Sequence, residues 1–391
     1  MYEMERDLLR NAGHEVVCYE RRNNDIQHSA LGALRIAAET AWSHRTFVEL
    51  SSLLERVRPD VAHFHNTSPL ISASAYQACK NVGVPVIQTL HNYRLVCPGA
   101  LLLRDGKPCE QCIGRIATSG VLHACYRNSR SASAVVAIAN AYHHQSGAYK
   151  RNVDRYIALT QFARERFIRG GLPSNRIVVR PNFLSDSPPL GAGDGDYALF
   201  VGRLTAEKGV HTLINAWQTL SMPLKVVGDG ALRADLESQC RRSNANVDFL
   251  GLQVRSEVLR LMRGAALLVV PSICYEGFPV TLLEAFASGV PIVASALGAL
   301  DELVVEGVNG MKFEAGNVLE LRGAVTRMMD CTQARSAMRV NNRSRYEADY
   351  SPTLAVQSLE HIYASVVARD AAPCRNPMSA PAPHVGEMPA S

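Results

Sequence analysis

Two glutamates eight residues apart stand in the stretch Cys-Tyr-Glu276-Gly-Phe-Pro-Val-Thr-Leu-Leu-Glu284-Ala-Phe-Ala-Ser-Gly-Val-Pro. The apolar run 265–270 reads as a buried strand, 271–277 as a loop, and Pro279 as the first position of a helix. Glu276 then lies at a strand's carboxyl end, with Glu284 about one and a half turns into the helix. In an open parallel sheet this is where ligands bind, because helix N-termini there supply unpaired N–H donors. One carboxylate can face a polyol while the other holds a ribose. The helix dipole alone also favours acids at such a place, so a bare pair of this kind reads as well as one dipole-favoured and one solvated glutamate.

Upstream, an apolar strand at 197–201 runs into Gly202-Arg203-Leu-Thr-Ala-Glu-Lys208-Gly209, and apolar residues at 210, 213, 214 and 217 share one face of a following helix. Gly202 and Gly209 let the backbone approach a ligand, while Arg203 and Lys208 supply positive charge for a diphosphate. The loop has neither the G-x-G-x-x-G spacing of dinucleotide sites nor the G-K-[ST] ending of a Walker loop. Simple solvation of the two cations is the alternative.

Taken with Val227-Gly228-Asp229-Gly230, these motifs closely resemble the nucleotide-sugar half of retaining glycosyltransferases of family 4, which have the GT-B architecture. The resemblance extends through Tyr156-Ile-Ala-Leu-Thr-Gln-Phe-Ala-Arg and Val178-Val-Arg-Pro181-Asn182-Phe, and so covers most of residues 60–345. It implies an α/β fold of two doubly wound, Rossmann-like parallel-sheet domains with a cleft between them. It implies transfer of a hexose-like sugar from a UDP- or GDP-sugar to a glycan or lipid-linked acceptor, as in cell-surface polysaccharide synthesis, without a catalytic metal.

By the same resemblance, Glu276 holds sugar hydroxyls with help from the backbone near Phe278, and Glu284 binds the ribose. Arg203 and Lys208 stabilise the departing diphosphate, Gly202, Gly228 and Gly298 line the donor site, and His91 contacts the transferred sugar. Gly298 opens Gly-Ala299-Leu-Asp301-Glu302, where the family has Gly-Gly-x-Pro-Glu. His63, His65 and Asn66 end another strand of the first half, although a strand-terminal histidine also serves as a packing or capping group. Two other readings fit the architecture: a nucleotide-sugar 2-epimerase, or a non-catalytic binding protein. The second draws on one departure, because Met1-Tyr-Glu-Met-Glu-Arg leads straight into Ala12-Gly13-His14-Glu15-Val16, without the family's first strand and glycine-rich turn. That departure implies either a start upstream of Met1 or a truncated remnant.

Positioning these residues requires two cores, and 391 residues with 47% hydrophobic content suffice for two domains. Apolar runs alternating with helical periodicity predict strands near 14–19, 60–65, 84–90, 155–160 and 176–180, then 197–201, 223–227, 247–250, 266–270, 291–294 and 311–313. The chain divides into an acceptor-side domain, 1–185, a turn-rich linker, 186–195, and a nucleotide-sugar domain, 196–350. A helix at 351–370 crosses back onto the first domain, as the resemblance implies. The last stretch, 371–391, contains five prolines and is expected to be disordered.

Residues 1–190 hold 23 Lys and Arg against 15 Asp and Glu, whereas 191–391 hold 18 against 21. The basic half reads either as solvated helix faces, with Arg164, Arg166 and Arg169 on one of them, or as a surface for an anionic membrane. No aromatic-interleaved basic stripe points to nucleic acid. No apolar run reaches the length of a membrane span and no secretory signal is evident, so a cytoplasmic, soluble or peripherally bound protein is expected.

Ten cysteines without such a signal suit reduced thiols. Four of them, Cys97, Cys109, Cys112 and Cys125, have C-x11-C-x2-C-x12-C spacing, which reads either as a structural zinc site or as four unlinked thiols.

Overall fold

Short runs of Val, Ile, Leu and Ala bounded by Gly and Pro build the sheets, and in several of them every residue is buried. That is the pattern of parallel strands covered by helices on both faces. A computed structural model describes residues 1–21, 37–193 and 195–370. The tail expected to be disordered, 371–391, lies outside the described residues, as does Asp194 in the expected linker.

The first half includes α1 (Tyr2–Asn11), α2 (His44–Val57), β1 (Ala62–Phe64), α3 (Ser74–Asn81), β2 (Val86–Leu90), the two-residue strands β3 (Leu103–Arg104) and β4 (Lys107–Pro108), α4 (Arg130–Gln145), β5 (Arg155–Ala158), α5 (Gln161–Arg169) and β6 (Ile177–Val179), with short helical turns at Thr118–Leu122 and Ala148–Arg151. Its main sheet has the order β1-β2-β5-β6, all parallel. Tyr76, Tyr156, Phe167 and Val153 fill the core on one face.

The second half comprises β7 (Ala198–Val201), α6 (Val210–Trp217), β8 (Leu224–Val227), α7 (Arg233–Ser243), β9 (Val247–Gly251), α8 (Arg255–Arg263), β10 (Leu267–Val270), α9 (Val280–Ser288), β11 (Ile292–Ser295), α10 (Ala299–Leu303), β12 (Gly310–Phe313), α11 (Val318–Asp330) and α12 (Thr332–Asp349). Its parallel sheet has the order β12-β11-β10-β7-β8-β9. The strand order reverses between β7 and β10, so the crevice between their carboxyl ends is the topological switch point of the sheet. A last helix, α13 (Pro352–Asp370), returns to the first half. Leu359, Ile362 and Val366 pack there with Leu9, Ile87 and Ile157.

One expected strand is not formed. Residues 14–20 have no regular secondary structure, and among the described residues β1 has a strand neighbour on one side only. A cavity of about 600 Å³ is lined by both Val16–Tyr19 and Val61–Phe64. The apolar run Val16, Val17, Cys18 and Tyr19 supplies the side chains of a strand, but a strand also needs a partner for its backbone N–H and C=O groups.

Candidate functional site

Two loops meet at the switch point. The first follows β7 and carries Gly202, Arg203 and Lys208; the second follows β10 and carries Ser272, Cys274 and Glu276. Their close approach explains the glycines. Gly209 has φ +69°, and a Cβ there would lie 1.8 Å from the Pro271 carbonyl oxygen. Gly228 has φ +132°, and a Cβ there would lie 1.9 Å from the Gly202 oxygen. Both contacts exclude any larger residue and lock the β7 loop against its neighbours.

That packing places Lys208 Nζ 2.7 Å from Glu276 Oε1. The Ser272 hydroxyl donates to the same oxygen at 2.6 Å. Both contacts fall on Oε1, which frees Oε2 for another donor such as a sugar hydroxyl. Arg203 differs: it is 68% exposed and pairs with Glu207 at 3.1 Å. An exposed pair contributes at most about 1 kcal/mol, so Arg203 can exchange it for a diphosphate oxygen.

The opposite wall comes from the carboxyl end of β2. His91 follows that strand, and a Cβ on Gly277 would come within 3.2 Å of its carbonyl oxygen. The Tyr93 hydroxyl donates to the Glu276 carbonyl at 3.4 Å, and Asn182 Nδ2 donates to the Phe278 carbonyl at 2.8 Å. The two halves therefore touch along the loop that carries Glu276. Burial, reinforced by neighbouring His65, pushes the His91 imidazole down to about 3, so the ring is neutral near neutral pH.

A cation and a carboxylate at a switch point, with the backbone of His91 from a second parallel sheet packed against the same loop, can serve a ligand that carries both hydroxyls and phosphates, and family models match the chain on both sides of that site. Residues 186–345 match the model described as "Glycosyl transferases group 1", and residues 2–187 match "Glycosyltransferase Family 4". The chain belongs to the family 4 glycosyltransferases.

The family's enzymes share the GT-B fold, and the two Rossmann-like sheets conform to it. An uncharacterized glycosyltransferase of Methanocaldococcus jannaschii is 28% identical over 213 residues, covering 54% of this chain and 60% of that one. A second from the same organism is 37% identical over 124 residues, or 32% of its length, so each of these two is matched over less than two thirds. The alpha-D-kanosaminyltransferase of Streptomyces kanamyceticus is 25% identical over 340 residues, 83% of each chain. Among solved structures, Anabaena HepE in complex with UDP superposes with a TM-score of 0.64 at 19% identity over 82% of each chain. Sucrose-phosphate synthase from Thermosynechococcus elongatus gives 0.64 at 17% identity, over 83% of this chain and 77% of that one. At these identities the structural likeness concerns the fold.

In this family member Glu284 occupies α9 and is 5% exposed. Burial pushes its carboxyl up to about 7, while Arg255 Nε, 3.7 Å from Oε1, pulls in the other direction. A raised value in the folded state favours the neutral acid. The associated stability is complete below the ordinary value of 4.5 and is lost as pH rises through about 7. A ribose hydroxyl that donates to the carboxylate has the opposite preference. Nucleotide binding is therefore expected to tighten as pH rises through about 7, and Glu284→Gln to flatten that profile. Calorimetric titration of UDP across this range checks it, and a flat wild-type profile would count against Glu284 as the ribose ligand.

Gly298 is the N-cap of α10 beside Tyr275, next to Glu276. Glu302, four residues on, reaches across the cleft: its two carboxylate oxygens accept the Gln161 and Phe162 amides at 3.1 and 2.8 Å. It thus caps α5 of the opposite half, a role that no motif announces.

The zinc site expected from the cysteine spacing is not supported. Cys97, Cys109, Cys112 and Cys125 are free thiols on one strap. Among the described residues, however, the only group of three or more candidate ligands within 4.8 Å of one another is Glu5, His63 and His65. Burial and then the nearby Cys97, Cys125 and Cys109 push the Cys112 thiol up to about 11, so the four cysteines share one neighbourhood, but no three of their sulfurs lie within 4.8 Å of one another. The strap is also tied down by Glu110, which pairs with Arg166 at 3.1 Å and Arg169 at 2.6 Å.

The sequence motifs also pass over Glu5. Its signal is a charged residue on the buried stripe of α1, three and four positions before Leu8 and Leu9.

Proposed function

We propose that this chain is a retaining glycosyltransferase that moves a sugar from a nucleotide-sugar donor to a glycan or lipid-linked acceptor, as in cell-surface polysaccharide synthesis. The observation that carries this reading is the Lys208–Glu276 pair at 2.7 Å, set at the switch point opposite the β2 strand end that bears His91. The bond from the anomeric carbon to the donor phosphate breaks, and the bond to the acceptor oxygen forms on the same face. The acceptor's proton passes to the departing diphosphate oxygen. Lys208, held in place by Glu276, and the more exposed Arg203 stabilise the negative charge that develops there. Glu276 holds sugar hydroxyls beside the Phe278 backbone, Glu284 binds the ribose, and His91 contacts the sugar. UDP is the first donor nucleotide to test, since HepE structures are described with UDP and with UDP-glucose, and GDP is the second.

Isothermal titration with UDP, GDP and ADP, followed by NMR analysis of the product's anomeric configuration, tests this. Inverted product would remove the retaining mechanism, and conversion of donor without acceptor would favour 2-epimerisation. Lys208→Ala is expected to weaken donor binding by about 1.5–3 kcal/mol, on the order of 10- to 100-fold, because a charge-assisted contact to phosphate is lost. Wild-type affinity in that variant would take Lys208 out of the site.

A peripheral position at the cytoplasmic face of an anionic membrane belongs to the same reading. Ile116, Leu122, Ile138 and Tyr142 are exposed on the strap and on α4, accompanied by exposed Arg115, Arg127 and Arg130. Apolar side chains ringed by arginine suit an anionic lipid surface. The nine described cysteines are all free thiols, which suits a reducing compartment. No helix among the described residues is long and apolar enough to cross a membrane. Co-sedimentation with phosphatidylglycerol vesicles but not with phosphatidylcholine vesicles is expected, and equal recovery from both would dismiss the membrane contact.

A further inference from the structure

Behind His91 lies a buried polar cluster that the proposed reaction does not use. Glu5 in α1 is 4% exposed, and its Oε2 accepts from Arg180 Nη1 at 2.8 Å. Its other oxygen, Oε1, is fully buried, has no well-aligned donor, and lies 3.1 Å from His63 Nδ1 and 3.3 Å from His65 Nε2. His63 is already engaged at both ring nitrogens, by the Tyr363 hydroxyl at 2.8 Å and Thr89 Oγ1 at 2.7 Å. His65 Nδ1 lies 2.7 Å from His91 Nε2.

We propose that Glu5 and His65 are positioning residues that fix the tautomer and orientation of His91. This rests on the reading that His91 contacts the transferred sugar. The argument follows from hydrogen-bond accounting. A buried carboxylate oxygen requires a donor. With His63 engaged at both nitrogens, the free donor is an N–H on His65 Nε2. A neutral imidazole carries one N–H, so His65 Nδ1 is then an acceptor. At 2.7 Å it must receive a proton-bearing nitrogen, which places the hydrogen of His91 on Nε2 and leaves Nδ1 of His91 as the acceptor. His63 and His91 are then neutral rings, in keeping with the values that burial lowers for both.

The spacing of Glu5, His63 and His65 could also hold a metal ion. Arg180 already places a positive charge on the Glu5 carboxylate, however, and both nitrogens of His63 are engaged. The same network sets the position of the ring as well as its tautomer, because His91 is held from behind by a residue that is itself clamped between α1 and β1.

The test uses the full chain labelled with ¹⁵N at histidine. In the unmutated protein, imidazole correlations should show His91 protonated at Nε2, with a through-hydrogen-bond coupling to His65 Nδ1. A His91 ring protonated at Nδ1, or the absence of that coupling, overturns the proposal without any variant. In Glu5→Gln, the His91 signals should move to the pattern of exchanging tautomers, and kcat should fall by up to about 10²-fold with KM for the donor little changed. Unchanged His91 signals in that variant also overturn it. His65→Asn places Oδ1 near the position of Nδ1, so it should restore the Nε2-protonated form of His91 in the Glu5→Gln background; failure to do so counts against the relay. If the ring responds as expected while turnover stays at the wild-type rate, the positioning network stands and the placement of His91 at the sugar falls.

Discussion

Glu276→Ala is expected to remove sugar transfer while leaving the fold intact. The side chain is held at one oxygen by Lys208 at 2.7 Å and Ser272 at 2.6 Å, so it is positioned before any sugar arrives. A pre-positioned group contributes to the rate because no reorganisation is needed as the reaction proceeds, and losing one such contact costs on the order of 10²–10³ in kcat. The substitution also frees Lys208 from its partner, which can bind the diphosphate more tightly without advancing the reaction. The expected pattern is therefore a collapse of kcat with donor affinity retained or improved. The loop backbone does not depend on the carboxylate, because its contacts to Tyr93 and Asn182 are made through carbonyl oxygens of residues 276 and 278. Steady-state kinetics beside a melting curve decide the matter: wild-type turnover sinks the site assignment, and a lost melting transition means the residue is structural.

The largest effect on stability is expected at Arg180. This guanidinium is 4% exposed, pairs with Glu5 at 2.8 Å and donates to the Ala355 carbonyl at 3.2 Å. It thereby joins the end of β6 to both α1 and α13. Arg180→Met strands a buried carboxylate, and breaking one side of a buried pair costs about 3–5 kcal/mol. Urea titration should show that loss, and the double variant Glu5→Gln, Arg180→Met should recover much of it, since two neutral groups leave no uncompensated charge. Burial by itself would raise the Glu5 carboxyl, but His63, His65 and Arg180 together hold it well below its ordinary value of 4.5. The stabilisation it provides is accordingly complete above that ordinary value and fades as pH falls through the folded value. A variant with wild-type stability would show that the pair contributes nothing.

The central strands of the second sheet are legible in the sequence because they are short runs of mostly apolar residues covered on both faces, as in Leu267–Val270 and Ile292–Ser295. Lys208 and Glu276 are legible for a related reason, since each stands in a loop immediately after such a run. What the sequence conceals depends on contacts distant along the chain. Residues 14–19 include the β-branched and aromatic residues of a strand, but pairing is a property of the neighbour. The four cysteines have metal-like spacing and do gather in one neighbourhood, but how closely their sulfurs approach is not encoded by spacing, and no three come within 4.8 Å of one another. Glu5 looks like an ordinary acid in the first turn of a helix, and only the arrival of Arg180, 175 positions later, explains its burial.

The cap that Glu302 places on α5 gives the cleft a latch. Parting the two halves strips the Gln161 and Phe162 amides of their acceptor at the positive end of that helix, and water must replace it. If the latch contributes about 1.4 kcal/mol, the closed population rises about tenfold over an otherwise identical chain. The balance between opening the cleft and holding it shut would then be set by one carboxylate of the second half, acting on a helix that a bound ligand need never touch.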